Sequence, residues 1–164
     1  MAKTKTITLC GIDSSTEKTG ISLFKNGEYV DSILIDKSSN KDVDSRINEM
    51  QLAIGKQLDK WKPDIVYNEE TYFGKGIDTL KKLSYILGGI RYWCAIHKVK
   101  YRLIPPQTWR SVIHLAKFGE ERTDAKKKAM LYVRKKYGVN AKTDDISDSI
   151  CIGEAGCRKE KMIL

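Results

Sequence analysis

The sequence has few of the residues that build thiolate metal centres. Its four cysteines, Cys10, Cys94, Cys151 and Cys157, form no Cys-x-x-Cys pair, and the chain has only two histidines. A zinc site would have to be assembled from scattered ligands, so we expect the cysteines to be buried and reduced.

Long apolar runs are also absent. No stretch approaches the roughly 18 apolar residues that a membrane-spanning helix needs, and the start of the chain leads into a predicted strand rather than a signal peptide. We therefore expect a cytoplasmic protein with no membrane partner. Repeats, low-complexity tracts and long linkers rich in proline or glycine are missing too, which predicts one domain over residues 1–164.

Positive charge is what the sequence has in excess, and it is concentrated in one region. The formal net charge is +9, yet residues 1–90 are neutral overall, while residues 91–142 carry 14 basic and 3 acidic side chains. Such a surplus indicates an anionic partner, most often nucleic acid, although a highly charged solvated face would give the same count.

The order of the predicted elements indicates a mixed α/β fold. Asn26-Gly27 between two alternating segments predicts a β-hairpin, so the first three strands should be antiparallel. The fourth strand follows a helix, which favours parallel pairing with the first strand. The predicted strands cover 6–13, 20–25, 28–35, 64–69 and 100–104, and the predicted helices cover 45–61, 79–97, 107–114, 124–137 and 145–155.

The predicted helix 79–97 is apolar on nearly all sides, so it needs more than one packing partner. One face can pack on the sheet. Another, near Gly88-Gly89, can contact a second copy of the chain. Full burial within one chain is the alternative.

Four carboxylates fall where they can form one site. Asp13 ends the first strand and Glu69 ends the fourth, so pairing of these strands brings them together. Asp145 and Asp148 lie three residues apart, on one face of a helix. Singly, Asp13 can open a turn and Asp145 can cap a helix. Together they indicate a site for hard divalent cations, and two such ions about 4 Å apart support attack of water on a phosphodiester.

Glu70 competes with Glu69 for this role. Side chains alternate along a strand, so only one of the two can point towards Asp13. The alternation alone does not say which one.

These motifs together resemble the RuvC family of Holliday-junction resolvases, over almost the whole chain. Gly11-Ile12-Asp13 stands where the family has Gly-Ile-Asp-Pro-Gly, although Ser14-Ser15 replaces Pro-Gly. Pro63-Asp64, a strand and then Glu69 match the second motif, which ranks Glu69 above Glu70. Asp145-Ile-Ser-Asp148 matches the family's final Asp-Ala-Ala-Asp motif.

The resemblance implies an RNase H-like fold, with a mixed five-stranded sheet of three antiparallel and then parallel strands flanked by helices. It also implies an Mg²⁺-dependent endodeoxyribonuclease with two ions per active site, for which Mn²⁺ substitutes. Such an enzyme acts as a homodimer on four-way and other branched DNA junctions. The residues implied as catalytic and metal-binding are Asp13, Glu69, Asp145 and Asp148.

The departures from the family pattern limit what the resemblance carries over. We expect neither the bacterial enzyme's cleavage sequence nor an obligatory branch-migration partner. The composition, rich in Lys and Ile, resembles that of a bacteriophage-encoded member, which would act in the host cytoplasm.

DNA contacts are predicted in two regions. Tyr72 and Phe73, which begin three residues after Glu69, can stack on bases unpaired at a junction, although each ring can equally pack in the core. The predicted helix 124–137 carries a basic stripe opposite an apolar line, which suits contacts with phosphates. The full predicted set is Tyr72, Phe73, Lys75, Arg110, Lys126, Lys127, Lys128, Arg134 and Lys135.

Three other functions fit parts of the pattern. The segment from Gly11 to Gly20 also matches the phosphate-binding motif of actin-like ATPases, but that fold needs two such domains, for which 164 residues are too few. A DNA-binding module without catalysis would not need all four acids. An RNase H-like nuclease acting on RNA–DNA hybrids is harder to separate from a resolvase.

Overall fold

The computed structural model describes residues 6–71, 74, 76–117 and 119–163, and it has the predicted mixed α/β architecture. The strands are β1 (Thr8–Asp13), β2 (Lys18–Lys25), β3 (Glu28–Asp36), β4 (Ile65–Glu69) and β5 (Lys100–Ile104). The helices are α1 (Val43–Trp61), α2 (Ile77–Ile96), α3 (Pro106–Val112), α4 (Arg122–Tyr137) and α5 (Asp144–Lys159).

The strands form one five-stranded sheet in the order β3-β2-β1-β4-β5. Strands β1, β2 and β3 are antiparallel neighbours, and β4 and β5 add in parallel beside β1. The predicted hairpin is confirmed, since Asn26 and Gly27 have φ angles of +47° and +84°, the left-handed conformation that this dipeptide tolerates. The parallel pairing of the first and fourth strands is confirmed as well.

Two hydrophobic cores lie on opposite faces of the sheet. Cys10 and Val66 point to the face covered by α1 and α2. Leu9 and Tyr67 point to the other face, where α3, α4 and α5 pack. Because side chains alternate along β4, Glu69 belongs to the same face as Tyr67, which is the face of α5.

Helix α5 packs on β1 and β2 with almost no side chain between the backbones. A Cβ atom on Gly11 would lie 2.3 Å from the backbone nitrogen of Gly153, so this position needs glycine, and a Cβ atom on Gly153 would lie 2.5 Å from the ring of Phe24. Ser22 Oγ also donates a hydrogen bond to the carbonyl of Ser149, at 2.7 Å. The prediction that this helix ends at residue 155 was wrong, since it continues to Lys159. Glycines that lower helix propensity are retained here because they permit this close approach.

Helix α2 leaves part of its apolar surface without a partner. Leu83, Ile86, Ile90 and Cys94 are buried against the core. On another face, however, the exposed fractions are 57% for Tyr85, 68% for Tyr92 and 57% for Ile96. The alternative of full burial within one chain was therefore wrong.

The four cysteines are all buried and free, as expected from their spacing. In the described ranges, no helix combines the length and hydropathy needed to cross a lipid bilayer.

Candidate active site

Asp13 and Glu69 are brought together by the pairing of their strands. Ile12 is the parallel partner of Asn68, so the next residue on each strand is one of the two acids. Asp13 ends β1 and Glu69 ends β4 at the same edge of the sheet. This is the edge where parallel strands of α/β folds commonly place their functional groups.

Asp145 reaches the same edge because α5 touches the β1–β2 ladder next to Asp13. Gly20 is the antiparallel partner of Asp13. A Cβ atom on Gly20 would lie only 2.0 Å from the carbonyl oxygen of Asp145, so any other residue would push the start of α5 away from the sheet. The glycine therefore determines how closely the α5 acids approach Asp13.

One cavity of about 550 Å³ contains all four predicted acids. It lies between the ends of β1 and β4, the start of α5, and the α3–α4 region. The acidic residues that line it are Asp13, Glu69, Glu70, Glu120, Asp144, Asp145 and Asp148, and the basic ones are Arg110, Lys117, Arg122 and Lys126.

The acids in this cavity raise one another's pKa values. Burial raises the pKa of Asp13 well above its usual range, and the negative charges of Glu69, Asp148 and Asp145 add to the effect. Burial, with the charge of Glu69, also raises the pKa of Asp148 to about 7. These carboxylates are therefore held close together without enough local positive charge to compensate them.

Asp148 shows the lack of compensation most directly. Its side chain is only 6% exposed, and its Oδ1 atom has no hydrogen-bond partner among the described residues. A buried acceptor without a partner is unusual in native proteins and is typical of a site that binds an ion, a water molecule or a substrate.

Among the acids that line the cavity, Asp144 has a basic partner. It forms an ion pair with Lys126 of α4. Burial and the neighbouring charge of Asp144 raise the pKa of Asp145, and Lys126 partly opposes this rise. The pKa values of Asp145 and Asp148 are therefore raised despite the nearby positive charges of Lys126 and Arg110.

Glu69 and Glu70 have different surroundings. Glu69 Oε2 accepts a hydrogen bond from the indole Nε1 of Trp109 at 2.8 Å, and its charge acts on both Asp13 and Asp148. Glu70 is exposed, and its backbone N–H donates to Ile104. The geometry thus favours Glu69 as the acid of the cluster.

The acids fit a hard divalent cation in their chemistry, although they do not already enclose one. Carboxylate oxygens are the ligands that Mg²⁺ prefers, and the partnerless Oδ1 of Asp148 is an available donor. In the part of the chain that is described, no group of three or more His, Cys, Asp or Glu side chains is arranged to hold an ion as it stands. The cavity therefore gathers the predicted ligands without a formed metal site among the described residues.

The predicted DNA-binding residues divide into two groups. Arg110 lines the cavity, and its charge lowers the pKa of Asp148. Lys126 is paired with Asp144, and Lys128 contacts Glu120 at 3.2 Å. Arg110 and Lys126 therefore line the cavity, Lys128 contacts one of its lining acids, and both lysines already have acidic partners.

The other predicted basic residues, Lys127, Arg134 and Lys135, are exposed on α4. They form an outward-facing basic stripe, as predicted, whereas Lys128 turns towards the loop before α4. The predicted contacts Tyr72, Phe73 and Lys75 lie outside the described residues.

Sequence reasoning missed several cavity residues. Lys117 and Arg122 were counted in the basic surplus but not assigned to the site. Trp109, the hydrogen-bond partner of Glu69, was not singled out, since a single tryptophan in a short helix predicts only packing in the core. The signal available was its position directly before Arg110, just after β5.

Comparison with solved structures shows that this fold is that of RuvC-type, RNase H-like proteins. A Thermus thermophilus RuvC in complex with a Holliday junction substrate superposes with a TM-score of 0.76 at 15% identity, covering 95% of this chain and 96% of that one. The fowlpox virus resolvase, solved with Holliday junction DNA, gives a TM-score of 0.63 at 15% identity, with 94% and 99% covered. The resolvase of yeast mitochondria gives 0.61 at 13% identity, with 94% and 79% covered.

One curated relative is similar in sequence over nearly the full length. The crossover junction endodeoxyribonuclease RuvC of Brachyspira hyodysenteriae is 26% identical over 157 residues, which are 93% of this chain and 94% of that protein. No protein-family model matches the chain.

Proposed function

We propose that this protein is a structure-selective endodeoxyribonuclease that resolves four-way DNA junctions by hydrolysing phosphodiester bonds. The observation that carries the proposal is the cavity in which Asp13, Glu69, Asp145 and Asp148 meet beside basic side chains. The similarity to resolvases over nearly the whole chain supports it.

The same four acids are the ligands we propose for divalent metal ions, with Mg²⁺ as the physiological ion, Mn²⁺ as a substitute and two ions per site. When bound, such ions lower the pKa of attacking water and stabilise the charge that develops on the leaving oxygen. A bound cation would relieve the mutual repulsion of the four acids and would give the partnerless oxygen of Asp148 a partner.

The basic residues hold the substrate in this proposal. Arg110 faces the cavity, where it can contact the phosphate that is cut. Lys127, Arg134 and Lys135 line the exposed side of α4, where they can contact the backbone of a DNA arm. Tyr72, Phe73 and Lys75 remain predicted contacts at the junction centre.

The decisive experiment compares cleavage of synthetic four-way, three-way and linear duplex DNA with Mg²⁺ or Mn²⁺. We expect four-way junctions to be cut fastest, and the Asp13→Asn variant to bind them without cutting. Equal cutting of all three substrates would reduce the proposal to a general nuclease, and full activity of Asp13→Asn would remove it.

A homodimer is part of the proposal, because paired cuts across a two-fold junction need two active sites. The exposed apolar stripe formed by Tyr85, Tyr92 and Ile96 of α2 suits such an interface. Sedimentation of Tyr92→Asp should show a shift towards monomer. Leu131→Asp, which replaces an equally exposed apolar residue of α4, should leave the mass unchanged. Identical masses for the two variants would contradict this interface.

The bacteriophage origin also remains a proposal, supported by the composition rich in Lys and Ile. We propose no obligatory branch-migration partner. Purified protein that cuts junctions alone would agree with this view.

A further inference from the structure

Helix α3 connects the sheet to the cavity through one buried side chain. The helix starts directly after β5, and Trp109 on it is fully buried in the core beneath α5. Its indole N–H has a hydrogen-bond acceptor despite this burial, since it donates to Glu69 Oε2 at 2.8 Å. The backbone N–H of Trp109 donates to the carbonyl of Pro105, which fixes the residue within the first turn of α3.

The same ring also supports Arg110. The guanidinium carbon of Arg110 lies 4.4 Å from the centre of the Trp109 ring, in a cation–π arrangement. Arg110 in turn lines the cavity and acts on Asp148. One rigid indole therefore contacts both a proposed metal ligand and a proposed phosphate contact.

We infer that Trp109 is a positioning residue that orients the Glu69 carboxylate for cation binding through its indole N–H. This inference rests on the metal-dependent cleavage proposed above. Partners outside the ligand shell that hold a ligating carboxylate by hydrogen bonds commonly change metal affinity or activity by about 10–100-fold. Because the ring is buried and tightly packed, the packing of α3 sets the direction of its N–H.

The chain supplies a matched control for this hydrogen bond. Trp93 Nε1 donates to Asp59 Oδ1 at 2.9 Å, between α2 and α1 and on the opposite face of the sheet. It is an indole–carboxylate contact of similar length, more exposed than that of Trp109, and neither of its residues lines the acidic cavity. Replacing either tryptophan with benzothienylalanine puts sulfur in place of the N–H and keeps the shape of the ring.

The test measures Mn²⁺ binding to the full-length protein by calorimetry without DNA, together with junction binding without metal and cleavage. In Trp109→benzothienylalanine, we expect Mn²⁺ affinity to fall about 10–100-fold. Junction affinity should stay within about twofold and the thermal midpoint close to that of the wild type, since packing is conserved. The Trp93 replacement should change none of these quantities.

A double-mutant cycle separates positioning from a purely structural role. With Glu69→Ala, which removes the acceptor, the replacement at Trp109 should cause no further loss of Mn²⁺ affinity. An equal loss with and without Glu69 would overturn the inference, as would a Trp109 variant that binds Mn²⁺ like the Trp93 variant.

The outcomes also separate this inference from the proposed function. If the wild-type protein cuts no junction but binds Mn²⁺ with an affinity that depends on Trp109 and Glu69 together, only the proposed function is contradicted. Cleavage that is insensitive to the Trp109 replacement would contradict only the inference. Wild-type protein that binds no Mn²⁺ would overturn both.

Discussion

The two halves of helix α5 hold buried carboxylates in opposite settings. Near its start, Asp148 has an oxygen with no hydrogen-bond partner among the described residues, and burial with the charge of Glu69 raises its pKa to about 7. Six residues on, Glu154 is also fully buried. It accepts hydrogen bonds from Tyr132, Tyr137, Lys136 and Arg158 at 2.6–3.1 Å.

The pKa of Glu154 therefore moves the other way. Burial alone would raise it, but the hydrogen bonds from Lys136 and the two tyrosines outweigh burial and lower it. The same helix thus carries one carboxylate that the fold satisfies and one that it leaves uncompensated. We interpret the first as an anchor for α5 on α4, and the second as stability given up for function.

The largest expected difference concerns catalysis. Asp148→Asn should reduce junction cleavage on the order of a thousandfold, because losing several kcal/mol of charge stabilisation costs about three powers of ten in rate. Junction binding should stay within a few fold, as measured by gel shift without metal. Glu154→Gln, by contrast, should cut at nearly the wild-type rate at a temperature where it is folded. Equal losses in the two variants would remove the functional distinction between the two ends of α5.

The second prediction concerns stability, for which the Glu154 variant should show the larger effect. Glu154→Gln should lower the free energy of unfolding by about 3 kcal/mol, because Lys136 and Arg158 lose the charge they pair with. Asp148→Asn should be neutral or stabilising by about 1 kcal/mol, since it removes repulsion. Urea unfolding measures both, with the exposed Glu28→Gln as control, for which a change within about 0.5 kcal/mol is expected. A destabilised Asp148→Asn variant would contradict the view that this site is strained.

The contrast also shows what the sequence could reveal. The meeting of Asp13, Glu69, Asp145 and Asp148 in one cavity could be predicted because strand ends and a three-residue spacing are visible in the chain. The Asn26-Gly27 hairpin was equally visible, since its backbone requirement is local.

What could not be predicted depends on contacts between distant segments. Glu154 lies in a stretch that was assigned only as the end of a helix, and nothing local reveals four donors converging on it. The extension of α5 to Lys159 and the hydrogen bond of Trp109 were missed for the same reason. Gly153 is a further example: its low helix propensity argues against a helix, and its presence is explained only by the strands that pack against α5.

The third prediction uses the pH dependence of stability to test whether Glu154 stabilises the protein through its charge. The pKa of Glu154 is lowered in the folded protein. A lowered carboxyl pKa contributes stability above the unfolded pKa, near the ordinary Glu value of 4.5, and this contribution is lost as pH falls through the folded value. The difference in unfolding free energy between wild type and Glu154→Gln should therefore be constant near pH 7 and shrink below about pH 4.5. Parallel stability curves down to pH 3 would show that Glu154 does not act through its charge.

The smallest expected effect concerns α4, which runs beside both halves of α5. Lys126 and Lys136 are paired internally, with Asp144 and Glu154, so the exposed Lys127 and Lys135 are the lysines that we propose for contacts with DNA. Lys127→Ala should weaken junction binding only a few fold and reduce the slope of log affinity against log salt by about 1, because one phosphate contact is lost.

The control is Lys56→Ala, which replaces another exposed lysine, on α1 at the far side of the sheet. Both variants remove one positive charge, so a general effect of net charge would change the two salt slopes alike. A contact at α4 changes only the first. Lys136→Ala sharpens the distinction, since Lys136 lies on α4 like Lys127 but bonds to Glu154. Its loss should appear in unfolding and not in the salt slope, because the charge it supplies is already used to satisfy the anchor of α5.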